Sequence, residues 1–256
     1  MRRHLLGAVS ALAVLASTQT FAAGIIQVPE GSFVAGSGLI TFSEVPLGTT
    51  NPVYPPALYG GGAGSPTVTF GGFFSGQMLG TAATCPPGAA LTGCVNGNPT
   101  NPLTLSPGAP VTFTANDGAM PTSPILSGTP LFNGPIALEF STPQVGVGLI
   151  GGFFDAVGST AITAYDMTGA VIGSVTNSTT GDEFLGLVTA DGLPEISGLL
   201  FHLVGDEPAG FDIDNVRFGA AGQVVVPGVP EPCSLAILGA AMFGLGLFGR
   251  RRRTDA

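Results

Sequence analysis

Residues 136–175 read IALEFSTPQVGVGLIGGFFDAVGSTAITAYDMTGAVIGSV and contain four segments typical of β-strands. These are 136–141, 145–154, 160–165 and 171–175, each bounded by Pro, Gly or Asp. Residues 166–169, Asp-Met-Thr-Gly, separate the last two and are typical of a hairpin turn. Similar segments lie outside this stretch at 39–44, 67–74, 111–114, 183–188, 198–204 and 211–218. About ten short strands at this spacing predict an all-β fold, an antiparallel β-sandwich.

The composition agrees with many turns between buried segments. Gly and Pro, at 41 and 22 of 256 residues, make up about a quarter of the chain, a share at which disorder becomes a concern. Hydrophobic residues are 45% and charged residues only 9%, however, which is the opposite of a disordered chain. The composition also excludes a long helical or coiled-coil protein.

The first residues have the pattern of a secretory signal peptide. Arg2 and Arg3 precede an apolar run from Leu5 to Leu15, and small residues follow around Ala22. We predict a signal peptide at residues 1–22 that is removed during general secretion. An uncleaved anchor and twin-arginine export are the alternatives.

The C-terminal residues have the pattern of a short membrane segment. Residues 235–249 are apolar and would span about 22 Å as a helix, somewhat less than a bilayer core of about 30 Å. Four arginines follow at once and would keep the C-terminus in the cytoplasm: Arg250, Arg251, Arg252 and Arg253. We therefore predict a transmembrane helix here, and a buried core helix is the alternative.

A short motif precedes that helix, formed by Val229, Pro230, Glu231 and Pro232. Together with the Gly/Ala/Leu-rich helix and the arginine cluster that follow it, this motif resembles the PEP-CTERM sorting signal of Gram-negative, exopolysaccharide-producing bacteria. The resemblance implies that an exosortase, a membrane-embedded cysteine protease, recognises and removes this signal, residues 227–256. The inner membrane would then hold the precursor transiently, before release to the cell surface or extracellular matrix. Cys233 departs from the family pattern, which usually has Ser or another small residue there.

Between the two signals, residues 23–226 are predicted to form one β-sandwich domain. Residues 23–230 carry 14 Asp or Glu, one Arg and no Lys, which gives a formal charge of −13. Such a surface repels phosphate groups, so nucleic-acid binding is excluded. A phosphate-binding loop of the Walker type is excluded as well, because it requires a Lys.

Residues 85–110 are poor in strand signals and rich in Pro, Gly and Asn, so we interpret them as a surface excursion. Cys85 and Cys94 lie at its start, and in an exported chain this spacing favours a disulfide that pins the loop. Zinc binding is the alternative, but no further Cys or His lies nearby.

Residues 164–166, 184–187 and 210–219 resemble parts of the jelly-roll ectodomains found on many PEP-CTERM proteins. Those ectodomains are similar in turn to carbohydrate-binding-module sandwiches, whose last strand often carries Ile-Asp-Asp/Asn-Val. The resemblance implies a jelly-roll-like sandwich and does not imply an activity.

Catalytic residues are not evident. His202 is the single histidine left after signal removal, and it lies in a segment with apolar residues on both faces, which favours a structural role. A glycosidase needs two carboxylates, and the spacing of the acids selects no pair. We therefore expect a non-catalytic structural or adhesive protein. Exopolysaccharide binding is the alternative, although the chain has no Trp and three Tyr for sugar platforms. A glycoside-active enzyme ranks third.

Two aspartates in the last predicted strand require a partner. Asp214, Val216 and Phe218 alternate along the strand, and two of the three are large and apolar, so their shared face is predicted to be the core. Asp212 has the same parity, whereas Arg217 has the opposite one. A bare carboxylate near the core would be costly.

Ile40, Phe42 and Glu44 show the same register in the first predicted strand. We predict that Glu44 and Asp214, with Asp212 as a further ligand, bind a structural Ca²⁺, which accepts irregular sets of oxygen ligands. Sandwiches of the resembled class often hold calcium between their first and last strands, which lie side by side. The alternative is that the two aspartates accept backbone hydrogen bonds at the rim of the sheet.

Overall fold

The computed structural model describes residues 24–117, 124–208 and 211–228. The predicted signal peptide, transmembrane helix and sorting motif lie outside these residues, so the domain boundaries stay predictions. None of the helices within the described ranges has the length and hydropathy of a membrane span.

Fifteen strands and one 3-10 helix form the described part of the chain. The 3-10 helix spans Glu30–Ser32. The strands in chain order are β1 (Ile25–Gln27), β2 (Gly38–Ile40), β3 (Val53–Tyr54), β4 (Val68–Gly71), β5 (Met78–Leu79), β6 (Val95–Asn96), β7 (Phe113–Ala115), β8 (Ile125–Ser127), β9 (Ile136–Gln144), β10 (Gly146–Phe154), β11 (Thr160–Tyr165), β12 (Val171–Thr176), β13 (Gly181–Thr189), β14 (Ile196–Leu203) and β15 (Asp212–Gly219).

The strands form two large antiparallel sheets packed as a sandwich, which confirms the predicted fold. Sheet 1 has the order β1-β13-β10-β15-β8-β7, with β2 also paired to β15, and sheet 2 has the order β12-β11-β14-β9-β4-β3. Strands β5 and β6 make a separate two-stranded ribbon. All ten predicted strands are present; those missed, β1, β3, β5, β6 and β8, have only two or three residues, too few to show an alternating pattern.

The predicted hairpin turn joins β11 to β12. The Oδ1 atom of Asp166 accepts hydrogen bonds from the backbone N–H groups of Thr168 at 2.8 Å and Ala170 at 3.0 Å. Gly169 has a φ of 83°, a left-handed conformation that glycine adopts without strain. The turn chemistry read from the sequence is therefore confirmed.

The main core lies between the two sheets. Leu185 and Val147 from sheet 1 and Leu199 and Phe201 from sheet 2 belong to one buried cluster. Each of these strands supplies every second residue to this layer, as expected for a sandwich. The remaining side chains of the same strands face outward.

The outward face of sheet 2 is covered by the excursion. A second buried cluster joins side chains of sheet 2 to the segment that follows β4; its members are Phe73, Phe74, Val95, Leu103, Ala137, Tyr165 and Leu200. The interpretation of residues 85–110 as a surface excursion is therefore incomplete, since Val95 and Leu103 are buried. The predicted disulfide between Cys85 and Cys94 is present, with the two Cα atoms 6.0 Å apart, and is consistent with an extracytoplasmic protein.

The outward face of sheet 1 is covered at one end by the first and last described segments. The third buried cluster consists of Val28, Phe33, Val145, Val188, Val224 and Val226. On the same face the Arg217 guanidinium forms a salt bridge with Glu30, with Nε and Oε1 2.7 Å apart. The other end of this face carries the acidic residues described next.

Candidate functional site

A β-bulge changes which face the two aspartates of β15 occupy. Arg217 lies opposite Gly148 on β10, but Asp214 lies opposite Ile150, so β15 contains one extra residue between these pairs. Asn215 occupies that position with a φ of 49°. Residues paired directly across two strands have their side chains on the same face of the sheet. Successive residues within one strand alternate between the two faces, and a bulge interrupts this alternation. Asp214 therefore lies on the face of Arg217.

The prediction that Asp212 and Asp214 share the core face with Val216 and Phe218 is therefore wrong. Val216 and Phe218 face the core as expected, and Ile213 joins them across the bulge. Asp212 lies opposite Gly152 and shares the outward face with Asp214. Both aspartates are nevertheless fully buried, so their carboxyl groups are enclosed outside the sandwich core.

A second bulge lies beside the first. The register of β10 against β13 shifts between Gly151 and Phe154, and Phe153 has a φ of 63°. Phe154 enters the core, where its ring centroid is 6.2 Å from that of Phe201. The backbone N–H of Phe153 donates to Asp182 Oδ1 at 3.3 Å. Bulges of this kind re-aim side chains and are frequent next to functional sites.

Asp212 is the most strongly perturbed acid of this region. No amide or hydroxyl donor of the described residues reaches either of its carboxyl oxygens. Burial, and then the adjacent carboxylate of Asp117, raise the pKa of Asp212 to about 8, and Asp182 and Asp214 act in the same direction. With a pKa above 7, the Asp212 carboxyl holds its proton at neutral pH.

Asp117 also lines a cavity of about 670 Å³, which we call the acidic cavity. Two carboxylates, three phenylalanine rings and a strand end bound it: Asp117, Asp155, Phe132, Phe153, Phe154, Thr180 and Gly181. Phe132 and Phe153 have φ values of 60° and 63°. A bulky side chain in the left-handed region is unusual, and such positions concentrate at ligand sites.

A second buried acid backs the acidic cavity. Glu207 is fully buried, and its Oε2 atom accepts hydrogen bonds from the Asp155 N–H at 2.8 Å and the Ser159 hydroxyl at 2.9 Å. Its Oε1 atom is buried without a hydrogen-bond partner among the described residues. Burial raises the pKa of Glu207, and these two donors oppose the rise. Glu207 is thus anchored to the backbone of a residue that lines the acidic cavity.

Comparisons with known proteins supply no family. No family model matches the chain, and no curated protein matches it. Among solved structures, the chain is similar to the enzymatically active domain of tailspike protein 4 of bacteriophage CBA120, at 17% identity and a TM-score of 0.26. The match covers 42% of this chain and 17% of the tailspike chain, and carries no argument about function.

The structure does not bring the predicted calcium ligands into one site. Strand β2 does pair with β15, through Ile40 and Val216, so the first predicted strand lies beside the last one. It ends at Ile40, however, and Phe42 has a φ of 59°. Glu44 Oε1 instead accepts hydrogen bonds from the N–H and hydroxyl of Thr41, at 3.1 and 3.0 Å.

Across the described ranges, no group of three or more His, Cys, Asp or Glu is arranged to hold a metal ion. Calcium binding by Glu44, Asp212 and Asp214 stays a prediction. The sequence analysis missed Asp117 and Asp182, because nothing local connects them to Asp212. The absence of Lys between the two terminal signals indicates that these acids lack basic partners, but it does not identify which acids lie together.

His202 occupies a structural position. It lies on β14, where its Nε2 atom is 3.4 Å from the Thr163 hydroxyl, and its Nδ1 atom is buried without a partner among the described residues. Burial lowers the pKa of His202 to about 4, so the imidazole is neutral at physiological pH.

Proposed function

We propose that the chain is the precursor of an exported PEP-CTERM protein, whose β-sandwich has a structural or adhesive, non-catalytic role at the cell surface or in the extracellular matrix. The observation that carries the proposal is the order of features in the tail. The motif at 229–232, the apolar segment at 235–249 and the arginines at 250–253 follow one another at the spacing of a sorting signal. An exosortase would remove this tail after export.

Two features of the sandwich support the proposal. The Cys85–Cys94 disulfide suits an oxidising compartment. His202 is neutral and held within a strand, which favours a structural role for it over general-base catalysis. Neither feature depends on the tail.

Intact-mass measurement of the native protein tests the sorting step. We expect the protein recovered from the matrix or medium to lack residues 250–253, and an exosortase deletion strain to retain them. Replacing Pro230, Glu231 and Pro232 by Ala should block removal, whereas Cys233→Ser, which restores the residue usual in the family, should leave it unchanged. Matrix protein that still ends in Ala256 would refute the proposal.

Exopolysaccharide binding is the second candidate function, and the acidic cavity is the observation that favours it. Sugar sites combine apolar ring contacts with a few polar groups that accept hydroxyl hydrogen bonds. Phe132 and Phe153 provide the former, and Asp117 and Asp155 the latter. A glycan array on the exported protein should show saccharide binding that Phe153→Gly weakens; binding unaffected by this change would exclude the acidic cavity as the site.

A further inference from the structure

We propose that a second cavity of the sandwich binds a neutral sugar unit of a polysaccharide. This cavity of about 500 Å³ lies where β2 pairs with β15, and we call it the Tyr59 cavity. Its walls include Ser37, Tyr59, Gly62, Gln144, Phe218 and Gln223. The inference rests on the second candidate function, exopolysaccharide binding, and names a ligand class and a site apart from the acidic cavity.

The Tyr59 cavity is uncharged, although it belongs to a strongly acidic domain. None of the described residues that line it is Asp, Glu, Lys, Arg or His, whereas residues 23–230 carry a formal charge of −13. A metal ion would lack the carboxylate ligands that hard cations prefer. An anionic ligand would find no cation and would enter against the electrostatic field of the domain. The walls therefore favour a neutral ligand.

Gln144 supplies an unused hydrogen-bond acceptor. It lines the cavity although the residue is only 3% exposed. Its Nε2 atom donates to the carbonyl oxygens of Thr142 at 2.7 Å and Pro143 at 3.1 Å, which uses both amide hydrogens. Within the described part of the chain, no group donates to its Oε1 atom, and the fold does not seal this atom from solvent. A hydroxyl group of a ligand can therefore donate to it.

Gln223 supplies a donor to the same cavity. Its Oε1 atom accepts a hydrogen bond from the Ala220 N–H at 2.9 Å, and its Nε2 atom donates to the Gly36 carbonyl at 2.8 Å. These two bonds fix the amide and leave one Nε2 hydrogen for a ligand. Ser37 adds a hydroxyl group, which can donate or accept. Sugar hydroxyls also donate and accept, so they match this mixed set of groups.

The Tyr59 ring gives the cavity a fixed apolar wall. Its hydroxyl donates to the Pro66 carbonyl, and its ring centroid lies 5.2 Å from that of Phe218, with the two planes at 80°. A Cβ atom on Gly61 would lie 2.6 Å from the Tyr59 ring, so the loop packs closely against it. Because the hydroxyl already has a partner, the ring contributes apolar surface. Apolar ring contact combined with a few fixed polar groups suits the C–H groups and hydroxyls of a pyranose.

A glycan array followed by isothermal titration calorimetry on the purified exported protein tests the inference. The array presents oligosaccharides of glucose, galactose and mannose beside oligosaccharides of galacturonate and glucuronate, and we expect the strongest binding to a neutral one. Calorimetry then compares the trisaccharide of that neutral sugar with trigalacturonate at about 0.15 M NaCl, where free surface charges are screened beyond about 8 Å. We expect the neutral trisaccharide to bind at least about tenfold more tightly, a difference of about 1.4 kcal/mol.

Two glycine positions provide a matched pair of variants that locates the site. A Cβ atom at Gly62 or at Gly31 would meet no atom within 4 Å, so both positions accept a side chain. Gly62 lines the Tyr59 cavity and Gly31 does not. Gly62→Phe should weaken binding of the neutral trisaccharide at least about tenfold, about 1.4 kcal/mol. Gly31→Phe should leave binding within about twofold, about 0.4 kcal/mol.

Gln144→Leu tests the acceptor, because it removes Oε1 while keeping a side chain of similar size. We expect it to weaken binding at least about tenfold, about 1.4 kcal/mol. It also removes the two hydrogen bonds to Thr142 and Pro143, so thermal melts must show that the variant is folded. If it does not fold, Gly62→Phe, which removes no hydrogen-bonding side chain, decides the matter.

Four results would overturn the inference. Binding of uronates alone, or equal affinity for both trisaccharides, would remove the preference for a neutral sugar. Equal losses in Gly62→Phe and Gly31→Phe would mean that binding does not occur in the Tyr59 cavity. Binding that Phe153→Gly abolishes and Gly62→Phe leaves unchanged would place the sugar in the acidic cavity, so exopolysaccharide binding would survive. Binding to no glycan would reject exopolysaccharide binding as well. The sorting proposal is tested separately by mass.

Discussion

The buried carboxyl of Asp212 links the stability of the sandwich to pH. Its pKa of about 8 in the folded protein compares with about 3.9 for an aspartate in an unfolded chain. Between these values the folded protein holds a proton that the unfolded chain has released. The stabilising contribution of this group is therefore complete below about pH 4 and is lost as the pH rises towards 8, by at most about 1.4 kcal/mol per pH unit.

Asp212→Asn should remove this dependence, because an amide does not ionise. We expect the variant to melt at a higher temperature than the parent protein at about pH 8, with a flatter profile down to about pH 5. Circular dichroism melts across the pH series provide the measurement. Asp206→Asn, an exposed acid of equal charge, should keep the parent profile. A variant that melts lower than the parent throughout would mean that Asp212 is ionised and paired in the folded protein.

The folded conformation of the segment from β5 to β6 depends on the Cys85–Cys94 disulfide. The bridge encloses a short loop whose end, Cys94, belongs to the main core. A Cβ atom on Gly80 would lie 2.2 Å from the Cys85 sulfur, so the β5 end of this segment packs directly against the bridge. Opening the bridge should loosen the segment that covers the outward face of sheet 2. It should also increase the conformational entropy of the unfolded chain.

Replacing Cys85 and Cys94 together by Ser should lower the free energy of unfolding by about 2–3 kcal/mol. Urea denaturation followed by fluorescence or circular dichroism measures the difference. A loss below about 0.5 kcal/mol would show that packing alone holds the segment. Alkylation of both cysteines without reductant would show that the bridge is not formed in the protein.

Residues 23–230 as a whole carry a formal charge of −13 with a single arginine. Repulsion among like charges destabilises a compact state and is screened by salt. We expect the melting temperature to rise by several degrees when NaCl increases from about 0.02 M to about 0.5 M. An unchanged or lower melting temperature would contradict this account of the surface.

Calcium provides a second comparison in the same melts. At matched ionic strength, CaCl₂ should act like NaCl if the acids only repel one another. A much larger rise, reversed by EDTA and absent in Asp214→Asn, would support the calcium prediction made from the sequence. The two salts therefore separate general screening from a specific site.

Much of the architecture follows from short-range information in the sequence. Ten strands, the 166–169 turn and the Cys85–Cys94 bridge were identified from alternation, turn residues and spacing, because each depends on neighbours close in the chain. The alternation also identified Val216 and Phe218 as core residues. Strand β14 was recognised as apolar on both faces, but nothing local indicated which segment covers its outward side.

The sequence by itself determined the sandwich class, the acidic character of the domain and a few of its core residues, Ile40, Phe42, Val216 and Phe218. The tertiary structure alone decided where Asp212 and Asp214 lie. The bulge at Asn215 shifts the register of β15 against β10, and one inserted residue moves every preceding side chain to the other face. Strand pairing between distant segments sets that register. It therefore brings Asp117, Asp182 and Asp212 together, although 95 positions separate the first from the last.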